Sequence, residues 1–76
     1  MLNDYEKKYF EMTKNVEPFD TGDSLHVSHE YYKIGDEIIQ LYWAIGGDIE
    51  EPLVEVQTLK DFEATSKIYG KTYTWN

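Results

Sequence analysis

Residues 37–45 form the most apolar run of the chain, and this run constrains the fold more than any other feature. Every second residue in it is large and apolar: Ile39, Leu41, Trp43 and Ile45. A spacing of two with β-branched and aromatic residues is typical of a half-buried strand. We therefore predict a central strand here. Its opposite face is mixed, with Ile38, Gln40, Tyr42 and Ala44.

The first sixteen residues predict an amphipathic helix. Apolar side chains recur at alternating spacings of three and four: Leu2, Tyr5, Tyr9, Met12 and Val16. This spacing places them on one stripe of an α-helix. Asn3 followed by Glu6 can form a capping box, so the helix should begin near Asp4. It should end near Asn15, because Pro18 disfavours helical backbone at the residue before it.

Residues 25–34 alternate again and predict a strand that pairs with the central one. Gly35-Asp36 could be a two-residue hairpin turn. That turn would set Tyr32 opposite Ile39. The more polar set of alternate residues on one strand would then share a sheet face with the apolar set on the next strand. A three-residue loop over 34–36 instead aligns Tyr31 with Ile39. Because a shift of one residue turns a whole strand face over, we favour the longer loop.

The second half of the chain predicts a third strand and then a short helix. Pro52 suits the first residue of a strand, and Val54 and Val56 supply two more core positions on residues 52–57. Thr58 followed by Asp61 is typical of a helix start, and Gly70 suits the position just after a helix end, which gives a helix over 59–68. Residues 65–75 could equally form a terminal hairpin, with Trp75 anchored in either arrangement.

These elements give the expected fold class, α+β. We predict one small domain over residues 1–76, with an N-terminal helix packed on a three-stranded antiparallel β-meander and followed by a short C-terminal helix or terminal hairpin. The N-terminal helix should cover the sheet face that carries five apolar residues: Ile39, Leu41, Trp43, Val54 and Val56.

Negative charge is the strongest compositional signal. The chain has 15 acidic residues and 7 lysines, for a net charge of −8. Residues 17–63 hold twelve of the acids and two of the lysines, so this segment alone is −10. Such a surface repels nucleic acid and anionic lipid and attracts a basic partner. The complete lack of arginine is typical of AT-rich genomes such as those of low-GC bacteria and their phages.

Several chemistries are not supported by the sequence. There is no cysteine, so disulfides and thiolate ligation are excluded. His26 and His29 are three apart on a predicted strand and point to opposite faces, so they cannot chelate one metal together. Residues 20–24 lack the alternating acids and the final glutamate of an EF-hand loop. No nucleophile, base and orienting group occur together, and no cofactor motif is present. We therefore expect a non-enzymatic protein without cofactor or metal.

No apolar run is long enough to span a membrane, so we expect a cytoplasmic protein.

The sheet face opposite the predicted core is the best candidate for function. We predict that it carries tyrosines among carboxylates, a composition that suits a protein interface with a negative rim. The candidate partner-binding residues are Glu30, Tyr32, Tyr42, Asp48, Glu50, Glu51 and Glu55.

Two hypotheses for the function follow. The first is an acidic binding protein, such as a phage or mobile-element inhibitor, that docks on a basic, nucleic-acid-binding protein. It would resemble DNA in its charge. It would not itself contact nucleic acid or membrane. The alternative is a small structural or accessory subunit that forms a homodimer or larger homo-oligomer through its sheet.

Overall fold

A computed structural model describes residues 2–44 and 51–75. Within them the protein is α+β, as the sequence predicts. The elements are α1 (Asp4–Thr13), β1 (Asp20–Asp23), β2 (Val27–Ile34), β3 (Glu37–Ala44), β4 (Leu53–Thr58) and α2 (Leu59–Ile68). The strands form one antiparallel sheet in the order β1-β2-β3-β4, so the meander has four strands and not three.

Helix α1 covers one side of the sheet, which we call the helix face. Its capping box is present as predicted: the Asn3 side chain accepts from the Glu6 backbone N–H, and the Glu6 carboxylate accepts from the Asn3 backbone N–H. The predicted core face is confirmed. The buried cluster beneath α1 consists of Leu2, Tyr9, Tyr32, Ile39, Leu41 and Val54, with Trp43 and Val56 partly buried against it.

The predicted register between the first two long strands is wrong. Tyr32 pairs with Ile39 and Ile34 pairs with Glu37, so Gly35-Asp36 is a two-residue turn. Gly35 has a φ of +61°, as the first central position of a type II′ hairpin turn requires. The helix face of β2 therefore carries Ser28, Glu30, Tyr32 and Ile34. The prediction failed because it assumed that only one face of the sheet is covered.

The opposite side, which we call the second face, is also packed. Helix α2 spans the predicted residues, so the alternative of a terminal hairpin is wrong. Phe62 of α2 is buried there against Tyr31, with ring centroids 6.0 Å apart. Phe19 lies among the rings of Phe62, Tyr73 and Trp75, at 5.6, 5.2 and 4.9 Å. Trp75 is therefore anchored, as predicted, and Ile38 on this face is completely buried.

Strand β1 is not among the three strands predicted from the sequence, because its residues have the composition of a loop. Its four residues pair with β2, from Asp20 opposite Tyr31 to Asp23 opposite Ser28. Phe19 extends this pairing, because its backbone N–H donates to the Tyr31 carbonyl at 2.9 Å. None of the helices in the described residues is long and apolar enough to cross a membrane.

Candidate functional site

A groove of about 390 Å³ lies on the second face, between the sheet, α2 and the C-terminal segment. The sheet contributes its floor, because residues of equal parity on neighbouring strands point to the same side. Helix α2 contributes residues three or four apart, which lie on one helix stripe. The lining residues are Tyr31, Gln40, Tyr42, Gln57, Phe62, Thr65, Ser66, Tyr69, Lys71 and Tyr73.

Two tyrosines from neighbouring strands meet on the floor of this groove. The hydroxyls of Tyr31 and Tyr42 are 3.3 Å apart, and their rings pack edge to face at 6.0 Å. Burial raises the pKa of Tyr42 far above its usual range, and the hydrogen bond with Tyr31 and the negative charge of Glu55 act in the same direction. Tyr42 is therefore neutral at physiological pH and acts as a hydrogen-bonding group.

Asp20 organises the other end of the groove. The Tyr73 hydroxyl donates to Asp20 Oδ2 at 2.5 Å, and Lys71 Nζ lies 3.7 Å from the same oxygen. His29 Nε2 lies 3.6 Å from Asp20 Oδ1. Burial alone would raise the pKa of Asp20, but the Tyr73 hydrogen bond, Lys71 and His29 outweigh it and lower this pKa. The carboxylate is thus charged and ties the C-terminal segment to the sheet.

The Asp20 carboxylate is the centre of this cluster. The Tyr73 hydroxyl donates to Asp20 and not to His29, and burial together with Asp20 raises the pKa of Tyr73 to about 12. None of the hydroxyl hydrogen bonds found among residues 2–44 and 51–75 involves His29. No group of three metal-binding side chains occurs in the described part of the chain. The cluster's evident effect is to hold residues 71–75, which we call the tail, on the second face.

The predicted partner-binding residues are divided between the two faces. Tyr42 and Glu55 lie on the second face, and Glu55 is exposed. Glu51 lies just before β4 and is half-buried. Asp48 and Glu50 lie outside the described residues.

The predicted outward placement of two of these residues is wrong. Tyr32 is only 7% exposed and belongs to the core beneath α1. Glu30 lies on the same face and accepts a hydrogen bond from Trp43 Nε1 at 3.1 Å. Burial, followed by the nearby charge of Glu30, raises the pKa of Tyr32. Both errors follow from the register, since a shift of one residue exchanges the two faces of β2.

Sequence reasoning missed two exposed apolar residues beside Tyr42. Leu53 is the register partner of Tyr42 on β4 and is 58% exposed. Tyr69, at the end of α2, lines the groove and is 80% exposed. Tyr69 falls on one helical stripe with Leu59 and Phe62, a spacing that favours packing over exposure. Its position after the last helical turn is the signal that it could extend past the sheet.

Comparison of the chain with protein-family models, with curated proteins and with solved structures gives no match.

Proposed function

We propose that this is a non-enzymatic binding protein that docks an acidic, tyrosine-bearing surface on a basic protein partner. The contact region is the open end of the second face, which we call the Tyr42 surface and define as Tyr42, Leu53, Glu55 and Tyr69. The observation that carries the proposal is the exposure of two large apolar side chains, Leu53 and Tyr69. Leu53 is the register partner of the half-buried Tyr42, and Tyr69 lines the same groove as Tyr42.

The arrangement of the Tyr42 surface suits a protein contact. Tyr42 and Leu53 face each other across β3 and β4, and Glu55 follows on the same side of β4. Tyrosine supplies a large rigid contact area at a low cost in side-chain entropy, and it is enriched at the centres of interfaces. Burial of Leu53 and Tyr69 against a partner would remove apolar surface from water, which favours association.

The charge of the chain favours a basic partner. With a net charge of −8, the protein attracts positively charged surfaces over a long range and so increases the rate of association. We propose a nucleic-acid-binding protein as the partner, with the carboxylates standing in for phosphates, and an inhibitor of phage or mobile-element origin acting in the cytoplasm as the biological context. High negative charge combined with exposed tyrosine and leucine is what supports this.

The proposal is tested by capturing partners from a bacterial lysate and measuring binding kinetics at several salt concentrations. Glu51→Gln with Glu55→Gln should slow association and reduce its salt dependence, because charges at an interface rim act mainly on the association rate. Tyr69→Ala should speed dissociation, and this exposed residue can be replaced without loss of the fold. Each of the two substitutions made singly is compared with Glu11→Gln, which removes one charge from the exposed side of α1.

Two results would contradict the proposal. One is association that does not depend on salt, and the other is normal dissociation of the Tyr69→Ala variant. Competition by duplex DNA separates the partner classes. If the partner cannot bind DNA and this protein at the same time, charge mimicry is supported. If it binds both at once, the proposal is restricted to a basic protein surface.

A homo-oligomeric subunit is the second candidate. It is favoured by the position of Leu53 on β4, because β4 is an edge strand of the sheet and exposed edges promote pairing between chains. Sedimentation at increasing protein concentration distinguishes the two. A mass that doubles in the wild type and stays monomeric in Leu53→Glu would support the homodimer.

A further inference from the structure

A carboxylate beside the groove, that of Glu55, is in none of the lysine ion pairs found in the described part of the chain. Glu55 is exposed, lies on the same side of β4 as the groove residue Gln57, and acts electrostatically on Tyr42. The lysine ion pairs found among residues 2–44 and 51–75 involve Glu11 and Asp20. Lys71 lines the groove, but its ammonium group is held towards Asp20 at the tail end. The Tyr42 end therefore favours a cation.

The groove is also rich in hydrogen-bond acceptors. The side-chain amides of Gln40 and Gln57 and the hydroxyls of Thr65 and Ser66 line it. Gln40 is only 8% exposed, and none of the side-chain hydrogen bonds found in the described part of the chain involves it. Because buried polar groups are normally satisfied, this amide is suited to a hydrogen bond with a bound group.

Aromatic surface also lines the groove. Tyr42 and Tyr69 both line it, and Tyr69 makes none of the ring contacts found among the described residues. The faces of the Tyr69 ring are therefore open to a planar ligand. Tyrosine faces attract cations, and a guanidinium group can both stack on them and donate hydrogen bonds from its edge.

We propose that the Tyr42 end of the groove binds an arginine side chain of the partner, with the guanidinium stacked on Tyr69, paired with Glu55 and donating to the Gln40 and Gln57 amide oxygens. This deepens the proposed function and rests on it for the identity of the partner as a basic protein. Arginine fits better than lysine because its five N–H donors lie in a plane and its cation is weakly hydrated. An ammonium group has three donors but no flat face to stack on Tyr69 and no fork to pair with both oxygens of Glu55.

Three blocked tripeptides, acetyl-Gly-X-Gly-amide with arginine, lysine or citrulline at X, test this with the full chain. Citrulline keeps the shape and planarity of arginine and removes its charge. Binding is measured by NMR titration of the Gln40 and Gln57 side-chain amides and the Glu55 and Tyr69 backbone amides. The arginine peptide should bind about threefold more tightly than the lysine peptide and about tenfold more tightly than the citrulline peptide.

Variants assign the contacts. Glu55→Gln should weaken arginine-peptide binding roughly threefold, the effect expected of a largely exposed ion pair. Tyr69→Leu keeps apolar area but removes the aromatic face, and it should weaken arginine more than citrulline. The control Glu11→Gln should leave all three affinities unchanged.

Equal binding of the three peptides, shifts confined to α1, or no groove shifts at millimolar peptide would each overturn the arginine site. If the peptides fail but a captured basic partner still binds with salt-dependent kinetics, only the arginine site is rejected. If the arginine peptide binds as described but no basic protein is captured, the site stands and the proposed function fails.

Discussion

Shortening Ile38 and Ile39 one at a time tests whether the sheet is buried on both faces. The two residues are neighbours on β3, point to opposite sides and are both 0% exposed. Replacement by Val removes one methylene group, which costs about 0.8 kcal/mol of transfer free energy plus a small cavity term. We expect each variant to lose about 1 kcal/mol of unfolding free energy. A sheet with a solvated second face would lose almost nothing at Ile38.

Equilibrium urea denaturation followed by far-ultraviolet circular dichroism measures both losses. A domain of this size has about 4–11 kcal/mol of stability, so each variant remains folded at the start of the titration. Leu53→Val is the matched control on the second face, because Leu53 is largely exposed, and it should change the unfolding free energy by less than about 0.5 kcal/mol.

The three variants together decide the question. If Ile38→Val matches the wild type while Ile39→Val shows its full loss, the second face is not a core, and the packing of α2 and the C-terminal segment described above is wrong. If Leu53→Val costs as much as Ile38→Val, the Tyr42 surface is buried and cannot be free for a partner.

Three further predictions concern the second face and titrating groups. Asp20→Asn should lower the unfolding free energy by about 1–2 kcal/mol at pH 7. The difference from the wild type should shrink below about pH 4, because the lowered pKa of Asp20 in the folded state stabilises the fold only while the carboxylate is ionised. Urea titrations that give an equal difference at about pH 3 would contradict this. The hydrogen bond to Glu37 and burial raise the pKa of Tyr9 to about 12, and the pKa of Tyr73 is also raised to about 12. The stabilisation from these two hydroxyls should therefore be fully present below about pH 10 and be lost as the pH rises towards 12. Thermal unfolding measured against pH tests this. In Gly22→Ala the new methyl would lie 2.7 Å from His29 Cε1, so the His29 ring must move, with a loss of about 1 kcal/mol and an altered imidazole NMR shift; an unchanged shift would argue against this contact.

The sequence was sufficient where structure is encoded locally. Helix α1 follows from its 3.6-residue periodicity and its Asn3–Glu6 capping box, and α2 follows from Thr58 and Gly70 at its ends. The helix face of β3 and β4 follows from the alternation of large apolar residues. Each of these signals lies within about ten residues of the structure that it predicts, so no knowledge of distant contacts is needed.

The register and β1 could not be predicted because they depend on distant contacts. The argument for register assumed that the polar parity of β2 faces water, but Tyr31 and Tyr32 are both covered, one by Phe62 and the tail and the other by α1. Strand β1 has the composition of a turn, and its Asp20 is held by Tyr73, 53 positions later. The residues next to Asp20 in the sequence do not indicate Tyr73 as its partner, and the residues next to Tyr31 and Tyr32 do not indicate what covers these two rings.

The candidate site was predictable in part for the same reason. Tyr42 and Glu55 were found because the parity of β3 and β4 was assigned correctly from their own alternation. Tyr32 and Glu30 were misplaced because β2 was turned over. Tyr69 was missed as a site residue, since a helical stripe alone does not show where the helix extends beyond the sheet that it covers.

The Asp20 cluster links the stability of the second face to the position of the proposed site. Asp20 binds Tyr73 and Lys71 at one end of the groove, and this draws the positive charge of the tail away from Glu55 at the other. Aromatic packing around Phe19 and Phe62 holds Tyr73 and Trp75, which are half-buried, and it leaves Leu53 exposed. A tail that extended over the whole face would bury Leu53 and Tyr69, and with a lysine beside Glu55 it would neutralise the open end. The fold therefore combines a core on both sides of the sheet with an uncovered acidic end, because the tail is fixed at Asp20 and not at Glu55.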